Sequence, residues 1–174
     1  MARERAPQSA GVITTGAPEG RDPLAWAVAR GRLADERFYW LATVHPGGRP
    51  HVRPVLAIWM DGNLYTTSNP AAQKGRNLER EGRCSFTVST PGLDLVVEGT
   101  AAAVIDASLL QRVAAEYFAK YQWPAEVKDG AFDAPYGAPT AGPPPYRVYQ
   151  IVPEVVFGFG TDDPFAPHST RWQF

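Results

Sequence analysis

The chain has one cysteine, Cys84, in 174 residues, so it can form no internal disulfide. Cys84 lies in the apolar run RCSFTV and reads as a small core hydrophobe. Its three histidines, His45, His51 and His168, are scattered away from cysteine and paired carboxylates, so they spell no metal site. His45 and His51 flank one turn and read as exposed turn residues. No apolar stretch approaches ~18 residues, so no membrane-spanning helix is expected. Excess charge is also missing. Lys plus Arg number 17 and Asp plus Glu 18, a net charge of −1. No global field would recruit nucleic acid or an anionic membrane, so any anion site must be local. A Walker A loop and a G-x-S-x-G elbow are both absent. Asp94 and Glu98 share a strand face, but nothing makes them an acid–base pair. The chain advertises no catalysis by its own side chains, and no catalytic residue is assigned. Residues 1–21 carry basic residues without the apolar segment of a secretory leader. Their Pro, Gly, Ser and Thr content reads as a flexible arm. The expected location is cytoplasmic.

What is present reads as one domain over residues 22–174. Asp22-Pro23 opens a short helix with Leu24, Ala27 and Val28 on one side. RFYWLATV is a strand, and HPGGRP is turn chemistry. HVRPVLAIWM is a strand with alternating faces, and DGN turns it back into NLYTT. A helix is predicted over 70–81, capped by Ser68 or Asn69 and stopped by Gly82. RCSFTVST and LDLVVEGTAAAVI form the next two strands, with Gly99 a candidate bulge. Asp106 caps a helix whose apolar side carries Leu109, Leu110, Val113, Tyr117, Phe118 and Tyr121. Residues 129–145, with five prolines, read as a long loop of the functional or disordered kind. YRVYQIV and EVVFGFG close the chain as two strands. The fold class is therefore mainly β with peripheral helices. Six to seven antiparallel strands must hide their edges, and a small barrel does so.

The stretch YTTSNPAAQKGRNL concentrates what chemistry there is. Thr66, Thr67 and Ser68 bring hydroxyls to a strand end, and the next helix offers unpaired N–H groups and the positive end of its dipole. Lys74 can fold back toward that end, and the DGN hairpin brings Arg53 alongside. Together these would cradle a phosphate. Spacing alone favours the simpler reading, a helix capped by Ser68 or Asn69 with a solvated face of Lys74, Arg76 and Arg80.

The segment WLATVHPGGRPHVRPVLAIWMDGNLYTTSNPAAQKGRNLEREGRCSFTVST resembles the pyridoxamine 5'-phosphate oxidase-like flavin and deazaflavin oxidoreductases. The residues carrying the resemblance are Arg53, Val55 and Leu56, then Tyr65, Thr66 and Thr67, then Lys74, Arg76, Asn77 and Leu78. The resemblance implies an antiparallel split β-barrel and a homodimer with the cofactor between subunits. Phosphate would lie on Arg53, Thr66, Thr67, Ser68 and Lys74. The ring would lie along the strand from Pro54, Val55 and Leu56 to Ala57, with Arg76 and Asn77 completing the motif. Aromatics such as Trp59, together with loop 129–145, would form the substrate wall. Two departures argue against vitamin B6 oxidation: Ile58 falls near the place where such oxidases carry a lysine, and HSTRWQF lacks their C-terminal Arg-x-His order. Arg171 and Trp172 either rim the site or pack on the barrel. The expected activity is hydride transfer between a cofactor and an unknown small organic substrate. Coenzyme F420 is placed slightly ahead of FMN, because Arg76, Arg80 and Arg83 would suit its longer anionic tail. The competing reading is a flavin, deazaflavin or haem carrier or sensor without turnover.

Overall fold

The computed structural model describes residues 4–13, 21–138 and 140–174. In chain order the elements are β1 (Ser9–Val12), α1 (Trp26–Asp35), β2 (Tyr39–Val44), β3 (Pro50–Val55), β4 (Ala57–Met60) and β5 (Asn63–Ser68). Then come α2 (Gln73–Arg80), β6 (Arg83–Thr90), β7 (Leu93–Ala103) and α3 (Ala107–Tyr121). The chain ends with β8 (Glu126–Lys128), β9 (Ala131–Asp133), β10 (Arg147–Gly160), a 3₁₀ turn (Ala166–His168) and β11 (Thr170–Gln173).

The architecture is an antiparallel split β-barrel, and the split has a residue address. Strands run in the order β5, β10, β7, β6, β2, β3, with β4 on the free side of β5. β3 leaves its pairing with β2 at Val55, and the chain passes through Leu56 into β4. Backbone continuity, not a hydrogen-bond ladder, therefore links the two ends of the curved sheet. With β3 and β4 taken as one bent strand, the ring has the six strands expected. The unbroken alternation expected over residues 51–60 fails at this bend: Val55, Ala57 and Ile58 are all buried.

β10 runs straight through Pro153, where two closing strands were expected. It pairs with β7 along its length, with β5 through residues 147–151, and with β11 through residues 155–158. Its register against β7 shifts between Pro153 and Val155. That bulge accommodates a residue without an N–H. The irregularity expected at Gly99 thus lies on the partner strand. Residues Ser9–Val12, expected within the mobile arm, form β1 on β11; residues 1–3 and 14–20 of that arm lie outside the described residues.

Helix boundaries moved for local reasons. α1 begins at Trp26 rather than at Pro23, and it buries Ala29 and Leu33 while Val28 faces outward. α2 begins at Gln73 rather than at residue 70. The Asn69 side chain accepts from the Ala71 N–H at 2.7 Å, which holds residues 69–72 as a turn. Asp106 caps α3 as expected, accepting from the Leu109 N–H at 2.7 Å. Within 129–145, Asp129-Gly130 makes a tight turn at positive φ, so the predicted loop contains the turn of the β8–β9 hairpin and all of β9. Among the described residues no helix is long and apolar enough to cross a membrane.

Two cores result. Inside the barrel lie Leu33, Leu41, Phe86, Leu95, Val97, Ile151 and Trp172. On the other side of the β4–β5–β10 sheet, α3 and the β8–β9 hairpin enclose Ile58, Tyr65, Val113, Tyr117, Trp123, Phe132 and Tyr146.

Candidate functional site

The barrel's split creates a backbone problem that α3 solves. The Leu56 carbonyl accepts from Thr66 Oγ1 at 2.9 Å and from the Tyr117 hydroxyl at 3.0 Å. The Ala57 carbonyl accepts from the Tyr121 hydroxyl at 2.6 Å and from Lys120 Nζ at 3.2 Å. Side chains thus satisfy groups that a closed ladder would have paired. Between this seam and the 136–141 loop lies a cleft of about 320 Å³.

Six of the sequence-derived candidates meet there. Pro54, Val55 and Leu56 line one side; Thr67, Ser68 and Lys74 line the end where β5 runs into α2. Lys74 is the second residue of α2, closer to its N-terminus than a helix starting at residue 70 would have placed it. Gly75 makes the packing behind it feasible: a Cβ there would stand 2.6 Å from the Asn69 carbonyl oxygen. Lys74 is half-buried, and its ammonium has no hydrogen-bond or ion-pair partner among the described residues. Burial lowers its pKa, and the Arg53 guanidinium lowers it further. His51 is pushed down by burial and then by Arg53, His45 and Lys74. A carbonyl, a hydroxyl or an added anion would relieve this local crowding of cations.

The other candidates have different posts. Thr66 is fully buried and supports the Leu56 carbonyl, so its hydroxyl belongs to the seam. Asn77 is buried and bonds Thr43 and Gln73, locking α2 onto β2. Arg76 is exposed and folds back on Ala71 and Gln73 at the start of its own helix. Arg53 is exposed beside the cleft rather than within its lining, and it donates to the Val52 carbonyl at 2.7 Å. Arg80 and Arg83 are held by Val44 and Glu81. Ile58 is 2% exposed under α3, so that position faces the second core and not the cleft. Trp172 is wholly buried in the barrel and stacks edge-on to Trp26; Arg171 is exposed on the adjacent strand position. The tail therefore packs on the barrel.

The far wall was expected from loop 129–145 and aromatics such as Trp59. Tyr136 of that loop does line it, but Trp59 packs against Trp26 on the barrel core, and the other four aromatics were missed. Tyr117, Tyr121, Trp123, Tyr136 and Tyr146 line the wall, with Arg37 and Phe38 at the end away from Lys74. Trp123 Nε1 donates to the Tyr136 carbonyl at 2.7 Å, and Asn69 Nδ2 donates to the Pro143 carbonyl at 2.6 Å. These bonds tie the proline-rich segment to α3 on one side and to the Lys74 end on the other. A signal existed in the concentration of Tyr and Trp between residues 117 and 146, but no spacing said they would converge.

The split barrel thus carries a cationic strand-to-helix junction in its seam. The family model described as pyridoxamine 5'-phosphate oxidase matches residues 26–159, and the chain belongs to that family. No curated protein matches the chain. Among solved structures, a heme binding protein from Mycobacterium smegmatis is 20% identical, with TM-score 0.60, over 83% of this chain and 57% of that one. An F420 reductase is 21% identical, with TM-score 0.52, over 73% of this chain and 94% of that one. An FAD-binding protein from Mesorhizobium loti is 21% identical, with TM-score 0.54, over 87% of this chain and 96% of that one. At these identities the three share the fold.

Proposed function

We propose that the protein is an oxidoreductase using a phosphorylated flavin-type cofactor held in the seam cleft, with Lys74 as its principal phosphate ligand. The observation that carries this is the half-buried Lys74 beside Arg53, without a partner and in a lining without a carboxylate among the described residues. A buried ammonium without an acceptor is costly, and a phosphate supplies the missing oxygens. Thr67 and Ser68 would add hydroxyls, and Pro54–Leu56 would offer backbone and apolar surface to the ring. The cofactor would supply hydride chemistry when bound. The chain would orient it, and the aromatic wall would exclude water from its face.

F420 is the cofactor to be tested first and FMN the second; Ile58 faces the second core and so does not bear on the ring. The supposed basic trail of Arg76, Arg80 and Arg83 does not add to the case, since all three are already engaged. The second reading, a haem carrier or sensor, draws on the Mycobacterium smegmatis neighbour. Among the described residues, no histidine or cysteine lines the cleft. Burial pushes the Tyr121 phenol up to about 12, which disfavours a tyrosinate ligand. Flavin-type binding therefore fits these residues better.

We also propose a homodimer that covers the open side of the cleft. Pro54 pairs across strands with Trp40, Trp40 with Thr87, Thr87 with Val96, and Val96 with Phe157. This row leads from the cleft onto an outer sheet face where Trp40 is 55% exposed and Phe159 41%. Exposed apolar surface continuous with a ligand cleft is suited to a second copy. Matched fluorescence titrations with F420 and FMN test the cofactor. Tighter F420 binding is expected; tighter FMN binding reverses the preference, and binding of neither removes the proposal.

A further inference from the structure

The two ends of the cleft are both cationic, and only one is explained by the cofactor's phosphate. Tyr39 pairs with Val55 across β2 and β3, so Arg37 sits beyond it near Ala57, while Lys74 sits near Arg53. The Tyr121 hydroxyl donates to both the Arg37 and the Ala57 carbonyls, which fixes that proximity. Four residues separate Arg53 from Ala57, a span of at most roughly 13 Å at ~3.3 Å per residue, shortened by the bend at Leu56. One compact anion cannot serve both ends.

Arg37 is exposed but held in place. Its Nη1 donates to the Lys120 carbonyl at 2.5 Å, and its guanidinium lies 5.3 Å from the Tyr121 ring centroid. The acid nearest in sequence, Glu36, turns its Oε1 to the backbone N–H groups of Arg37 and Phe38, at 2.8 and 3.1 Å, and makes no ion pair with the Arg37 guanidinium. Arg37 has no ion pair among the described residues. Its Nε and Nη2 have no acceptor there either, and these two donors form one edge of the guanidinium fork. That edge matches the two oxygens of a carboxylate. Two exposed aromatics share the cleft lining with Arg37: Phe38, next in sequence and 70% exposed, and Tyr136, 56% exposed. Flat apolar side chains left in water at a cleft mouth suit a flat apolar ligand.

We propose that the Arg37 end is a second, independent anion subsite that accepts the substrate, and that the substrate class is a planar aromatic carboxylate. The ring lies between Phe38 and Tyr136, and the carboxylate takes the Nε–Nη2 edge of Arg37. This rests on reading the seam cleft as the cofactor and substrate site.

The test compares 2-naphthoate with its neutral isostere 2-naphthamide, by calorimetric titration of the cofactor-free protein. Wild type should bind naphthoate at least tenfold more tightly than naphthamide. Arg37→Gln should remove that difference while leaving naphthamide affinity unchanged. Arg37→Lys, which keeps the charge without the fork, should retain part of it and covers the case in which the glutamine variant folds poorly. Lys74→Ala should leave naphthoate binding intact. Equal affinities for the two probes, no binding of either, an unaffected Arg37→Gln, or loss of naphthoate in Lys74→Ala would each overturn the proposal. Repeating the naphthoate titration after saturation with F420 or FMN separates the two claims. If neither cofactor binds while Arg37 still selects naphthoate, the cofactor reading fails and the subsite stands. Displacement of naphthoate by the cofactor would overturn the independence of the two ends.

Discussion

The two hydrophobic clusters on either side of the β4–β5–β10 sheet are built differently. In the barrel core four of eighteen buried members are aromatic; in the α3 cluster five of twelve are. The barrel core fills space with branched aliphatics such as Leu41, Val88, Leu95 and Val97. The α3 cluster is a lattice of rings: Trp123 lies 5.6 Å from Tyr117, 6.1 Å from Phe132 and 5.6 Å from Tyr146. Tyr117, Trp123 and Tyr146 belong both to that cluster and to the cleft wall. The difference teaches where stability and recognition separate. Aliphatics pack without direction. Rings with a polar handle can be held at a fixed tilt while one edge faces a ligand.

The comparison breaks most readily at Phe86, 1% exposed in the barrel core. Phe86→Ala should cost about 3–5 kcal/mol in denaturant unfolding. The folded fraction should still bind cofactor normally. A loss of affinity at unchanged stability would mean that the two clusters are not separable.

At the cleft, Lys74→Ala should weaken cofactor binding by about tenfold to a hundredfold, since a charge-assisted contact is worth roughly 1.5–3 kcal/mol. Arg80→Ala should change it little, because Arg80 donates to the Val44 carbonyl at 2.8 Å, away from the cleft lining. Equal small effects would return Lys74 to a solvated helix face.

The near side of this cleft was legible in the sequence and the far side was not. Thr67, Ser68 and Lys74 fall at one strand end and the helix after it, so local spacing placed them together, and the family resemblance implied Val55 and Leu56 beside them. Arg37, Tyr121 and Tyr136 come from three distant segments, and only the packing of α3 across the seam joins them. The Asp129-Gly130 turn was readable from its residues, but the prolines around it favoured an irregular loop. The bend at Leu56 had no local signal: what breaks the strand there is the set of side-chain bonds from Thr66 and Tyr117, residues ten and sixty-one positions away.

That bend can be probed with Tyr117→Phe. The hydroxyl donates to the Leu56 carbonyl and to the Tyr65 carbonyl at 3.2 Å. Its removal leaves the ring packing intact and should cost about 1 kcal/mol in denaturant unfolding. Cofactor affinity should fall only slightly, because Thr66 still holds Leu56. A loss as large as that of Lys74→Ala would show that the seam itself is part of the binding site.

The smallest effect is a pH dependence at Lys120. Burial, with Arg37 adding to it, lowers its pKa from 10.5 to about 8, while Glu36 and Asp35 oppose the shift. Tyr39 and Tyr121 lie under the ammonium at 5.2 and 5.6 Å. Between pH 8 and 10.5 the unfolded chain holds this proton and the folded chain has released it. Folding stability contributed by Lys120 should therefore rise with pH across that window. Tyr39 acts in the opposite direction, since burial raises its pKa above 10.0 and the unfolded phenol ionises first. The useful quantity is accordingly the difference in melting temperature between wild type and Lys120→Met, followed from pH 8 to 10.5. It should shift in favour of wild type as pH rises. The side chain is only partly buried, so solvent screening keeps the change small. A difference that stays flat would mean the Ala34 and Ala57 carbonyls, at 3.0 and 3.2 Å, hold the ammonium charged as firmly in the folded chain as water does in the unfolded one.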